Sequence, residues 1–306
     1  MKNIVLSQTC QGEVLRYLLL FSPEFRERYT CSFVPNYEVV DGVSRVASPE
    51  VLTPHLKTCD LFVYHAITDY DFGAILKTLP EGCPSLAVPY VTSTIYWPSY
   101  DFRHPVWLLP YAATALIPWP CRLLDAMIVA FKDKDRARRE YLDLDIPSVM
   151  DVAENHDSQL RYIRQAEQGT IFSMSAYIQE HFRDQRLFHL INHPSIPLFR
   201  HMANCLLLHL GLSPLTLSPT DPFDNHQMPV HPSIRRYYGL TWCDDATRYK
   251  LFEKEVAYDE YVSMYIDLYI ERFQFQPPPQ AKKTHKTKQP GKRLAKFLKM
   301  LLGRRN

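Results

Sequence analysis

Glycine is scarce, nine in 306 residues, and nowhere does it form Gly-x-Gly-x-x-Gly, a Walker loop or a Gly-x-Ser-x-Gly elbow. The usual phosphate-cradling loop is therefore missing, and a phosphate-bearing ligand has to be met by helix N-termini and by Arg or Lys. Long apolar runs are missing too. None approaches the roughly 20 residues that span a bilayer, and Met1-Lys2-Asn3 leads straight into a strand, so the chain is expected to be cytoplasmic. The seven cysteines are odd in number and scattered, with no Cys-x-x-Cys pair. This pattern indicates neither a disulfide framework nor a thiolate zinc site, and each thiol is judged singly. Acidic residues are absent from 281–306, which hold ten Lys or Arg. That leaves 25 basic and 33 acidic residues in the first 280, a net of −8 behind an overall +2.

What is present reads as a globular chain, 46% hydrophobic and 22% charged. In residues 4–20, IVLSQTCQGEVLRYLLL, the apolar run Ile4, Val5 and Leu6 gives way to Val14, Leu15, Leu18 and Leu19 at the spacing of one buried helix face. Further strands are expected in CSFVPNYEVV, CDLFVYHAI and SLAVPYV, with a helix at about 71–79. The whole predicts an α/β fold: an N-terminal open, mostly parallel sheet of about four strands with flanking helices, then an α-helical region and a basic amphipathic C-terminal tail. Helices are expected at about 133–142, 147–167, 170–183, 195–210 and 244–273. The boundaries read as 1–125 for the α/β domain, 126–275 for a helical region packed on it, 276–290 for a disordered Pro/Lys linker and 291–306 for a basic amphipathic helix. In that last segment Leu294, Phe297, Leu298, Leu301 and Leu302 share a face flanked by Lys292, Arg293, Lys296 and Lys299. It is expected to lie on an anionic membrane surface rather than on nucleic acid, whose phosphates the −8 body repels.

Candidate chemistry centres on the strand-to-helix junction. Cys10 falls in the turn or the first turn of a helix, where unpaired N–H groups and the dipole stabilise a thiolate; the alternative is a small buried hydrophobe. In open α/β sheets ligands bind beyond the carboxyl ends of the strands, where Cys10, His65 and the segment after Val91 all emerge. Histidine is dense between 181 and 209. His201, Cys205 and His209 sit at i, i+4 and i+8, which puts the outer two about 12 Å apart along a helix at about 1.5 Å per residue, too far for one metal ion. They are taken as one packed helix face, and no metal is expected. His193 precedes Pro194, which biases it away from helical geometry and places it at the mouth of a following helix. A cysteine nucleophile needs a base, and His193 is the first choice, against a plain helix-entry turn. A second His-Pro-Ser-Ile occurs at His231. Tyr96, Trp97 and Tyr100, in a Pro-rich aromatic stretch, are candidates to stack on a sugar or adenine ring, or simply to close the sheet end.

The blocks SQTCQ, CDLFVYHAITDYDF, VPYVTSTIYWPSY, FHLINHPSIPLFRHMANCLLLHLGL and VHPSI with YYGL, in that order over residues 1 to about 240, resemble those of the WcbI-type polysaccharide biosynthesis enzymes. The resemblance implies a coenzyme A-binding O-acetyltransferase of capsule assembly. Cys10 and Gln11 match the family's Gly-Asn-Cys-Gln, while Gln8 and Thr9 replace its first pair; His65 stands where relatives often have Gln, and His193 and Pro194 match. By this reading Cys10 and His193 are catalytic, Gln11 and His65 serve the oxyanion or position substrate, and Tyr96, Trp97, Tyr100, Asn192 and Ser195 bind substrate or cofactor. The expected cofactor is acetyl-coenzyme A and the expected partner a sugar or polysaccharide acceptor. Two other readings stand beside it: a Cys/His hydrolase of the same fold, and a non-catalytic carbohydrate-binding or scaffold protein.

Overall fold

The computed structural model describes residues 1–40, 43–65, 72–100, 116–217 and 219–276, together with Lys296, Phe297 and Met300. Two compact units emerge, each assembled from two separate stretches of chain: Met1–Thr92 with Leu160–Asp224, and Ser93–Gln159 with Asn225–Asn306.

In the first unit, strand β1 (Lys2–Gln8) carries Ile4, Val5 and Leu6 with no exposure. Successive side chains of a strand point to opposite faces, so burial of all three marks a central strand. Helix α1 (Cys10–Phe21) follows, then α2 (Pro23–Arg28), β2 (Tyr29–Pro35), the antiparallel ribbon β3 (Tyr37–Val40) and β4 (Val43–Val46), α3 (Thr53–Leu56), β5 (Leu61–His65), α4 (Phe72–Leu76) and β6 (Ser85–Val88). The sheet order is β2-β1-β5-β6 and every neighbouring pair is parallel, the four-stranded parallel sheet expected from the sequence.

The registers place the ends of β1 and β5 at the same edge, with Ser7 opposite Tyr64. Helix α1 buries Val14, Leu15, Leu18 and Leu19, each contributing about 1.5–3 kcal/mol relative to exposure. It sits so close on the strand that a Cβ at Gly12 would be 2.5 Å from Gln8 Cβ and 2.9 Å from the Phe33 ring.

The remaining elements are α5 (Arg122–Phe131), α6 (Lys134–Leu142), α7 (Ile146–Val149), α8 (Val152–Glu167), α9 (Met174–His181), β7 (Phe188–Leu190), β8 (His193–Pro194), α10 (Ile196–His209), α11 (Pro232–Tyr238), β9 (Tyr249–Leu251), β10 (Lys254–Val256) and α12 (Tyr258–Phe273). In the first unit α10 packs on α1 and α9; in the second, α12 packs on α5 and α6.

Two expectations are corrected. A boundary at 125 falls inside α5, and the units interleave instead of dividing there. The helix expected over 244–273 begins only at Tyr258, after the β9–β10 hairpin. Tyr249 and Leu251 are buried on either side of Lys250, a period of two, and Phe252 opens the two-residue turn with φ 57°. The linker at 276–290 and the amphipathic tail lie outside the described residues apart from Gln276, Lys296, Phe297 and Met300. Among the described residues no helix is long and apolar enough to cross a membrane.

Candidate active site

Thr9 ends the strand in extended geometry and caps α1, its hydroxyl accepting from Gln11 N–H at 3.4 Å. Cys10 is thus the first helical residue, as its place in the sequence predicts. Its state is not. Burial pushes the Cys10 thiol up to about 11, and the N–H groups of Gln11 and Cys10, which pull it down, do not win. A helix N-terminus contributes on the order of 0.3–2 kcal/mol to an anion, whereas desolvation of a buried group shifts a pKa by up to roughly 3–5 units. Cys10 is therefore a neutral thiol at pH 7 that needs a base. Its alkylation by iodoacetamide is expected to climb about tenfold per pH unit from about pH 7 to 10 and to level near pH 11. A plateau near a pH of about 8.5 would show that the thiol is not desolvated.

Gln11 also departs from expectation. Its amide donates to the carbonyls of Val91 (2.8 Å) and Asn192 (3.0 Å) and accepts from Val91 N–H (3.3 Å). Both donors are used by backbone, so the side chain is a clasp and does not face an oxyanion. The clasp joins the first turn of α1, the chain beyond β6 and the β7–β8 turn, bringing the residue adjacent to His193 to the head of α1. His65 meets the same corner: Thr9 N–H donates to its Nδ1 at 3.3 Å, and the Thr9 hydroxyl lies 3.3 Å from the same nitrogen. Burial drives its pKa down to about 3. The ring is neutral, and an acceptor at Nδ1 puts its proton on Nε2, which is buried with no protein partner. Tyr90 lies beside it, ring centroids 5.6 Å apart, and reaches the Asn192 side chain.

His193 is half-buried in β8, outside the helix that comes after it. Asn192 Oδ1 is buried and unpartnered. Ser195, by contrast, is committed: its hydroxyl donates to the Arg186 carbonyl and its N–H to the Leu187 carbonyl at 2.9 Å, so it is a structural hinge before α10 and not a ligand group. Tyr96, Trp97 and Tyr100 lie buried in the second unit. Tyr96 meets Trp97 and Trp242 edge to face, and the Trp97 indole donates to the Pro229 carbonyl at 2.8 Å. All three are spent on the interior of that unit and offer no free face to a ligand.

The other histidines resolve individually. His201 stacks on Tyr177 at 4.3 Å, but His209 is exposed, so the expected packed face holds only in part. Among the described residues no three metal-ligating side chains converge. His231 caps α11, its Nδ1 accepting from Ser233 N–H at 3.1 Å, the helix-entry role. One pair is not legible in the sequence: His189 Nε2 lies 2.8 Å from Asp221 Oδ2, with side chains only 5% and 10% exposed. Nothing in the spacing of residues 32 apart signals it.

A family model described as the polysaccharide biosynthesis enzyme WcbI matches residues 3–215. Among solved structures, that of WcbI, a polysaccharide biosynthesis enzyme described as native protein without a disulfide bond between coenzyme A and one of its cysteines, is similar with a TM-score of 0.73. The two are 21% identical, and the match covers 99% of this chain and 96% of that one. Comparison with curated proteins gives no match.

Proposed function

The chain belongs to the WcbI family of polysaccharide biosynthesis enzymes, and from that premise we propose that it is an acetyl-coenzyme A-dependent O-acetyltransferase acting on a sugar or polysaccharide precursor. The observation that carries the reading is the Gln11 clasp, which holds the Cys10 thiol and the segment bearing His193 at one corner of the sheet edge. A thiol and an imidazole brought to one corner are the parts of an acyl-transfer site. That the WcbI structure is described by coenzyme A and a cysteine supports the ligand by analogy.

The residues fit such a ligand. The buried, unpartnered Asn192 Oδ1 is an acceptor for an amide N–H, and the uncharged thiol presents no charge to a thioester. Cys10 and Asn192 would hold it. When bound, acetyl-coenzyme A supplies an acyl group already activated as a thioester. His193 takes the proton of the acceptor hydroxyl on an imidazole nitrogen. The Cys10 N–H, at the head of α1, is a fixed donor for oxygen on which negative charge develops, the Gln11 N–H being given to the Thr9 hydroxyl. His65, fully buried, would position substrate only indirectly, through the Thr9 cap that its Nδ1 holds. Cys10 would either take the acyl group on its sulfur, its proton leaving with the departing coenzyme A thiol, and then yield that group to the acceptor oxygen, or serve to position the acyl donor.

Incubation with labelled acetyl-coenzyme A and sugar precursors tests this. Label in the sugar supports the transferase; release of free acetate shows a hydrolase instead, and absence of turnover a binding protein.

We further propose that residues 291–306 rest on an anionic membrane at the cytoplasmic face, since five large apolar residues flanked by Lys and Arg come after a Pro-rich stretch and an acidic body. Each basic residue near such a surface contributes about 1 kcal/mol. Full-length protein is expected to co-sediment with anionic vesicles at low salt and a version ending at Gln276 is not. Equal binding of both would count against the anchor.

A further inference from the structure

With His193 as the base of the proposed acetyl transfer, whatever holds its ring in place has catalytic meaning, and that meaning rests on the transferase reading. The ring needs a support of its own, because β8 is only two residues long. One face of the imidazole lies on Phe223, with centroids 4.2 Å apart and planes 13° from parallel. Phe223 is far away in sequence, and its place is set by Asp221.

The Asp221 carboxylate gathers three donors. Oδ1 accepts from Phe223 N–H at 2.9 Å; Oδ2 accepts from Ile196 N–H at 2.6 Å and from His189 Nε2 at 2.8 Å. Ile196 is the first residue of α10, three beyond His193, and His189 lies four before it. A single carboxylate with a side chain only 10% exposed thus ties the chain on both sides of His193 to the segment whose ring covers it. Burial pushes the Asp221 carboxyl up, but the bonds from His189, Phe223 and Ile196 pull it further the other way, so it sits below its ordinary value and is ionised at neutral pH. An amide cannot replace it. With its oxygen kept on Phe223, its NH2 group would face the Ile196 N–H, donor against donor.

We propose that Asp221 is a positioning residue for His193, fixing the imidazole through the entry to α10, the Phe223 ring and His189. The arrangement has a spectroscopic signature. Ring protons of His193 lie over the face of Phe223, so the Cε1–H resonance stands upfield in the folded protein, and Phe223→Leu identifies it by moving it downfield. Asp221→Asn, with Phe223 intact, is expected to move it downfield as well. The same variant is expected to lower kcat about 10- to 100-fold, the scale of a misplacement near 1 Å, with KM for acetyl-coenzyme A within about twofold.

Loss of thermal stability in Asp221→Asn with the His193 resonance unmoved would leave only a structural role and overturn the proposal. Should that variant not fold, Phe223→Leu decides, since it leaves the Asp221 bonds in place: reduced kcat supports the proposal and wild-type kcat overturns it. The resonance requires no turnover. A wild-type protein that transfers no acetyl group therefore sinks the transferase reading alone, and the resonance still decides this one.

Discussion

His193→Ala is expected to lower acyl-transfer turnover by about 100- to 10,000-fold, the range for a positioned acid–base group, with little change in affinity for coenzyme A. Two effects of the substitution have to be kept apart. The imidazole packs flat on Phe223, and an aromatic pair of this kind contributes roughly 0.5–1.5 kcal/mol to stability. Losing it lowers the melting temperature by a few degrees but leaves nearly all molecules folded, so it cannot produce a hundredfold loss. Proton transfer can. His193→Phe separates the two, because it keeps a ring on Phe223 and has no nitrogen. It is expected to melt near wild type and to be as inactive as the alanine variant. Activity retained in His193→Phe, or activity falling only in step with the folded fraction in both variants, would reduce His193 to a helix-entry residue.

Gly12→Ala is expected to destabilise the protein although it places alanine in a helix. In an open helix the change stabilises by about 0.5–1 kcal/mol. Here the new Cβ would come within 2.5 Å of Gln8 Cβ and 2.9 Å of the Phe33 ring. Gln8 Cβ is attached to the backbone of β1 and cannot swing away, so the strand and helix must part. Overpacking of this kind costs about 1–3 kcal/mol, which outweighs the propensity gain. Gly12→Val, with two further methyl groups, is expected at the upper end of that range or beyond it. Thermal unfolding followed by circular dichroism reads both, at roughly 2–4 °C per kcal/mol for a protein of about this size. A raised melting temperature for Gly12→Ala would contradict the close approach. Because Cys10 and Gln11 share that first turn, movement of α1 also loosens the clasp.

Much of this region is legible in the sequence because its causes are local. The change from an apolar strand to a helical period, with Thr9 between them, fixes where α1 begins, and burial of Ile4, Val5 and Leu6 comes from an unbroken apolar run. The meeting of the head of α1 with His65 and Val91 is a general property of parallel sheets. What cannot be read depends on partners far away in the chain. The Gln11 amide finds carbonyls 80 and 181 residues on, so its conversion from oxyanion group to clasp has no local signal. The state of the Cys10 thiol is hidden for a related reason: helix position is visible in sequence, desolvation is not. Tyr96, Trp97 and Tyr100 show the same gap, since an aromatic that stacks on a ligand and one that fills a core are spelled alike. The hairpin at 249–256 is legible in principle, through the alternation of Tyr249, Lys250 and Leu251, and is masked by the stronger helical period beyond it.

The interleaved course of the chain bears on how the molecule is made. The first unit consists of Met1–Thr92 and Leu160–Asp224, so its sheet strands leave the ribosome well before α10, which covers α1, and before Asp221. At roughly 5–20 residues per second that interval is on the order of 10 s. During it the apolar face of α1 and the Cys10 thiol have no cover from the later segment. The corner at the head of α1 is therefore among the last parts of the unit to close, and until then the nascent chain leaves the Cys10 thiol, on which the proposed chemistry rests, open to oxidation and misassociation.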